Sequence, residues 1–336
     1  MTSRSLDVGA LAAELMVIDS TSGREGAVID HLERLLATRR WTTRRIPVTP
    51  GRDDILATSG HQPLATLSTH VDTVPPFIPP RLENGRLWGR GSCDAKGIAA
   101  AMICAAEELR SAGVPIALLF VVGEEVSHDG AHAANNVSTT SRVLVNGEPT
   151  ESTLAVGTKG ALRAVIRTTG VAAHSAYPDR GRSATLELVR LLAEIPTLDL
   201  PRDPILGETT INIGTLAGGV ADNVTAPSAE ARLMVRTVRP PGEMLAFLRQ
   251  WVGDRATVDA GAAVPPVRLR TLPGFETSVV SFATDVPVLS HWGEPYLFGP
   301  GSVHVAHTDG EFVDLAELRA AVGSYVRLVE AAMERG

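Results

Sequence analysis

The stretch 116-IALLFVVGEE-125 decides the fold. Seven apolar residues, Ile116 to Val122, run without a polar face. That is the pattern of a parallel strand covered on both sides. A glycine and two adjacent glutamates, Glu124 and Glu125, follow where the strand must end. Two further buried strands flank it in sequence, "PLATLSTH" ending at His70 and "SRVLVNGE" ending at Glu148. Between them, "GIAAAMICAAEELRSAG" has the spacing of an Ala-rich buried helix that stops at Gly113. Upstream, "VGALAAELMVID" and "EGAVIDHLERLLATR" show helical periodicity, and the C-terminus "DLAELRAAVGSYVRLVEAAMERG" is one more helix. Strands alternating with helices predict an α/β domain with a mixed, largely parallel sheet between helices.

The middle of the chain reads differently. "GALRAVIRTTG" is strand-like, and "SATLELVRLLAEI" is a helix opened by Ser183. "ETTINIGTLAGG" and "APSAEARLMVRTVR" are strand-like, "GEMLAFLRQWVG" is a helix and "RATVDA" a last strand. The order β-α-β-β-α-β is that of a ferredoxin-like α+β sandwich. The expected organisation is a discontinuous α/β domain, residues 1–157 and 261–336, interrupted by a small domain at 158–260. A length of 336 residues suits two domains.

Bulk properties narrow the function. A formal net charge of −7 argues against a nucleic-acid partner, which needs a basic face. No segment has the roughly 20 apolar residues of a spanning helix, and the N-terminal apolar residues are interrupted by Asp7 and Glu14 rather than forming a signal-peptide core. Two cysteines, Cys93 and Cys104, give no disulfide framework. A cytoplasmic protein without a membrane or nucleic-acid partner is expected.

In open α/β sheets, ligands bind outside the carboxyl ends of the strands. Imidazoles and carboxylates recur at those positions: His70 and Asp72, then Asp94 in "WGRGSCDAKG", Glu124 and Glu125, Glu148, and His304 and His307 in "GPGSVHVAHTDGEFV". Each has an ordinary explanation. Asp94 before a helix is most simply an N-cap, and adjacent glutamates are usually solvated. Carboxylates that follow successive buried strands nevertheless converge on one sheet edge, where they repel unless a cation is present. Nitrogen and oxygen donors without thiolate suit zinc, cobalt or manganese. Two such ions roughly 3.5–4 Å apart need a bridging carboxylate.

The segments "STHVDTVP", "GRGSCDAKG", "VVGEEVSHDGA", "NGEPTE" and "AHTDGEFV", in this order, resemble the successive motifs of the dinuclear zinc metallopeptidases, which include acetylornithine deacetylase, succinyl-diaminopimelate desuccinylase, aminoacylases and glutamate carboxypeptidase. The resemblance covers nearly the whole chain. It implies that His70 and Glu148 bind one zinc, Glu125 and His307 the other, and Asp94 both, with cobalt or manganese as substitutes. Its "HT" motif selects His307 over His304. It implies that Asp72 accepts the second ring N–H of His70, that the Asp94–Ala95 peptide is cis, and that Glu124 is the general base. In the inserted domain it implies His174 as an oxyanion donor reaching the partner subunit's site in a homodimer. Asn223 and Arg236 would bind the substrate carboxylate, with Lys159 and the Gly299–Ser302 turn (Gly301, Ser302) as weaker substrate-side candidates. The implied inserted domain is a lid and dimerisation domain. His128 and His132 match no ligand spacing and read as structural. The pattern departs at Gly310, where relatives carry a second acidic residue. The implied activity is hydrolysis of an N-acyl amino acid, nearest acetylornithine deacetylase. Desuccinylase and carboxypeptidase or dipeptidase activities are the alternatives, and a catalytically inactive metabolite-binding relative is the rival outside enzymology.

Overall fold

A computed structural model describes residues 6–60 and 62–335. They form two compact units: Met1–Val156 with Leu269–Ser278 and Thr284–Gly336, and Gly157–Arg268 with Val279–Ala283. The second unit thus extends past the expected 158–260, because its last strand continues to Val264.

The first unit is built on a six-stranded sheet. Its order is Thr42–Thr49, Arg52–Thr58, Ile116–Val121, Ala65–His70, Val143–Asn146, Glu294–Leu297. The last four run parallel, and the first two form an antiparallel hairpin on the Ile116 strand. Along Ile116–Val121 the side chains alternate between two cores, as a pleated strand requires. Leu118 and Phe120 join the large core made with helices Val8–Met16, Gly26–Thr38, Lys96–Ser111 and Leu315–Met333. Leu119 and Val121 enter a smaller one with Ala131, Ala134, Leu289 and Trp292. A strand with two buried faces cannot alternate in polarity, which explains the continuous apolar run.

Parallel register aligns the strand ends. His70 lies opposite Val121, and Ser68 opposite Asn146. The residues that follow these strands therefore leave along one edge. Helix Lys96–Ser111 fits closely behind that edge: a Cβ on Gly147 would come within 2.4 Å of Ile98 and 2.6 Å of Met102.

The second unit has strands Gly160–Thr169, Thr210–Gly218, Ser228–Thr237 and Thr257–Val264 with helices Ala184–Glu194 and Pro241–Val252. Its antiparallel sheet places Ser228–Thr237 and Gly160–Thr169 inside, with Thr210–Gly218 and Thr257–Val264 at the edges. That is the ferredoxin-like arrangement. Ser183 caps its helix through Leu186 N–H at 3.2 Å. Among the described residues no helix is long and apolar enough to cross a membrane.

Candidate metal centre

The strand ends bring five of the expected residues together within the first unit. Asp94 is central. Its Oδ1 lies 3.0 Å from His70 Nε2, and its Oδ2 lies 3.1 Å from His307 Nε2. Each carboxylate oxygen therefore faces a different imidazole. Glu148 Oε2 is 4.0 Å from His70 Nε2, and both Glu125 oxygens are 3.0 Å from His307 Nε2. The result is two half-sites sharing Asp94. Asp94 is not the helix cap: Ala95 holds that position, without a side-chain cap bond. The Asp94–Ala95 peptide is cis.

This geometry demands positive charge. His70 Nδ1–H donates to the Asp72 carbonyl at 3.0 Å, which leaves Nε2 as a lone pair facing Asp94 Oδ1. Two acceptors at that distance require a proton or a metal cation between them. Burial disfavours imidazolium at His70, yet the bonds to Asp72 and Asp94 and the charge of Glu148 push its pKa well up. Hydrogen bonds to Asp94 and Glu125 push His307 up to about 10. Burial acts against ionised Asp94, but His307 and His70 outweigh it and hold its pKa below the usual carboxylate range. Glu148 is pushed well above that range, by burial first and also by Asp94 and Asp285. Its Oε1 is buried without a partner. Divalent cations would meet all of these demands, so the donor set fits them.

Asp72 does more than face the His70 ring. The nearer partner of His70 Nδ1 is the Asp72 carbonyl, and the Asp72 carboxylate is 3.5 Å away. That carboxylate also accepts Glu124 N–H at 3.1 Å, Glu125 N–H at 3.3 Å and Ser22 Oγ–H at 2.7 Å. Asp72 thus anchors the loop carrying both glutamates. Burial raises its pKa, but His70, Ser22 and Glu124 together hold it low.

Beside the Gly310 departure stands a buried carboxylate, Glu311. Gly310 is exposed, whereas Glu311 is 1 % exposed. Glu311 Oε1 accepts Gly91, Cys93 and Asp94 N–H at 2.9, 3.2 and 3.3 Å. Its Oε2 pairs with buried Arg90 Nη1 at 2.6 Å, and Arg90 also donates to Thr308 O. One carboxylate therefore ties the loop bearing Asp94 to the segment bearing His307. Sequence reading missed Glu311, Arg90 and Ser22, because their partners lie far away along the chain.

The remaining candidates are more dispersed. Glu124 lies beside the cluster, with its side chain 11 % exposed. Burial, then Glu148, pushes its carboxyl well up. His128, read as structural, contacts Asp285 and approaches Glu124. His304 is exposed, and its N–H donates to Ser302 Oγ. In the Gly299–Ser302 turn, Gly301 N–H donates to Glu317 and Ser302 Oγ–H to Glu151, so these donors already serve protein carboxylates. In the second unit, His174 and Asn223 are exposed and joined through Ser175 N–H, which donates to Asn223 O. Arg236 is half-buried on the strand Ser228–Thr237. Lys159 is buried, and its Nζ donates to Glu208 O at 2.6 Å.

Residues 66–331 match the family described as Peptidase family M20/M25/M40. A Peptidase M20 domain-containing protein of Schizosaccharomyces pombe is 38 % identical over 338 residues, spanning 95 % of this chain and 83 % of the relative. A probable carboxypeptidase of Aspergillus fumigatus is 37 % identical over 377 residues, spanning 96 % and 86 %. The fold is shared with an M20 family metallo-carboxypeptidase from Sulfolobus solfataricus at a TM-score of 0.78 and 14 % identity, over 97 % of this chain and 99 % of that one. This chain belongs to peptidase family M20/M25/M40 and is a metal-dependent hydrolase of that family.

Proposed function

We propose that the enzyme hydrolyses the amide bond on the amino side of a residue with a free α-carboxylate, using two zinc ions held by His70, Glu148, Asp94, Glu125 and His307. The observation that carries this reading is Asp94, with one oxygen toward each imidazole, beside a glutamate that neither half-site uses. Bound zinc would polarise the scissile carbonyl and bring the pKa of a water toward neutrality. Glu124 takes the proton of the attacking water and returns it to the leaving amine. Arg236 and Asn223 hold the substrate carboxylate, where a planar guanidinium pairs in two-point fashion. His174 donates to the developing oxyanion.

Carboxypeptidases and N-acyl amino acid deacylases break this same bond and differ only on the acyl side. The Aspergillus relative's name favours a peptide there, and the resemblance to acetylornithine deacetylase favours an acetyl group. A panel of free-acid peptides, N-acetyl and N-succinyl amino acids, and their C-terminal amides tests the shared feature. The amides are expected to lose about 10- to 150-fold in kcat/KM, since a hydrogen bond to a charged group contributes roughly 1.5–3 kcal/mol. Equal turnover of acid and amide would exclude carboxylate recognition.

Homodimerisation through the second unit belongs to the same reading. The edge strand Thr210–Gly218 exposes Ile213 and Leu216, and helix Ala184–Glu194 exposes Leu186 and Val189. An exposed edge strand with apolar side chains is a template for a second copy. If His174 serves the partner's site, mixing His174→Ala subunits with Glu124→Gln subunits restores activity. Random pairing puts one intact site in half of the dimers, so about a quarter of wild-type activity is expected. Activity no higher than that of the unmixed variants would rule out the shared site.

A further inference from the structure

Glu124 faces a second group of side chains, His128 and Asp285. His128 Nδ1 lies 2.8 Å from Asp285 Oδ1 and 3.7 Å from Glu124 Oε1. Asp285 can only accept when ionised, so Nδ1 carries the proton and points between the two carboxylates. The second distance is roughly 0.8 Å longer than a normal N–H···O bond. A small turn of Glu124 closes it.

The surroundings make this contact specific. Asp285 is 1 % exposed, and its Oδ2 is buried without a partner. His128 adopts the left-handed conformation, with φ 56°, and its N–H closes the turn on Gly123 O at 2.8 Å. The imidazole is therefore fixed by its own backbone and by one buried carboxylate. A buried carboxylate with one oxygen unpartnered is costly compared with apolar packing, so packing alone does not explain Asp285. Asp72 holds the backbone of Glu124 from the other side, through its N–H. Among the described residues no hydrogen bond restrains the Glu124 carboxylate, and the like charges of Glu148, Asp285 and Glu125 surround it.

We infer that His128, oriented by Asp285, is a positioning residue that holds the Glu124 carboxylate toward the attacking water. The inference rests on Glu124 being the general base. Because φ is positive at 128, the substitutions must tolerate that backbone. Glycine does so and deletes the imidazole, and asparagine does so while placing an N–H donor near the site of Nδ1.

The test measures kcat, KM, zinc content and melting temperature of the zinc-loaded enzyme. His128→Gly is expected to lower kcat by about 10- to 100-fold, the scale of a misplaced catalytic group, with KM and zinc content unchanged. His128→Asn should recover most of the loss. Asp285→Asn should lower kcat without adding to the effect of His128→Gly. In a Glu124→Gln background His128→Gly should have no further effect. Wild-type kcat in His128→Gly beside a deficient Glu124→Gln would overturn the positioning role alone. So would a loss that His128→Asn does not repair and that follows zinc content or melting temperature. Full activity in Glu124→Gln would remove the general base, and this inference with it.

Discussion

Glu124→Gln is expected to lower kcat by about 10²- to 10⁴-fold, the usual contribution of a positioned acid–base group. Zinc stoichiometry and KM should be nearly unchanged. Glutamine keeps the volume and the backbone N–H that Asp72 accepts, but it cannot take a proton. The neighbours make this outcome specific. Glu125 reaches His307 and Glu148 reaches His70, while Glu124 is paired with neither imidazole at ligand distance. Removing a ligand would strip metal and activity together; removing the base strips activity alone. Measuring zinc and kcat on the same preparation separates the two. A Glu124→Gln protein that purified without zinc would make Glu124 a ligand. A fully active one would leave the base unassigned, and an inactive wild type with full zinc would favour the metabolite-binding rival.

The parts of this architecture legible in sequence share one physical cause. Strands buried on both faces, such as Ile116–Val121, must be continuously apolar, so their ends can be located and the polar residues after them collected. The edge hairpin Thr42–Thr58 was not legible. Its strands, TTRRIPVT and RDDILAT, open on runs of threonine, arginine and aspartate instead of alternating with apolar residues, and Arg45 is satisfied by Asp30, Glu33 and Asp53. Those charges look like loop until their partners are placed. Asp94 was ambiguous for a related reason. Local pattern suggested a helix cap, and only His70 and His307, from distant segments, show what the carboxylate faces. Glu311 and Asp285 left no local signal, because their partners are backbone amides and an imidazole more than 150 residues away. Motifs thus reveal the side chains nearest the expected ions, while the groups that orient them are set by tertiary contact.

The Arg90–Glu311 pair offers a sharper separation between stability and metal affinity. Both side chains are almost completely buried, and they meet at 2.6 Å. Removing one partner of a buried ion pair strands the other charge. Arg90→Met is therefore expected to destabilise the protein by about 3–5 kcal/mol, measured by urea unfolding. Replacing both, as Arg90→Met with Glu311→Met, removes the stranded charge and should recover part of that loss, set against the cost of the amides Glu311 no longer accepts. It should not recover metal binding. The Gly91, Cys93 and Asp94 amides lose their common acceptor in the double variant, and the loop presenting Asp94 is left unrestrained. Loss of such supporting contacts typically weakens metal binding by about 10- to 100-fold, which a zinc titration against a competing chelator would read. Arg90→Met alone keeps Glu311 and its three amide bonds, so its zinc affinity in the folded state should fall less than that of the double variant. If affinity instead followed stability through the series, Glu311 would be a packing residue, and Asp94 would be held by something other than its carboxylate.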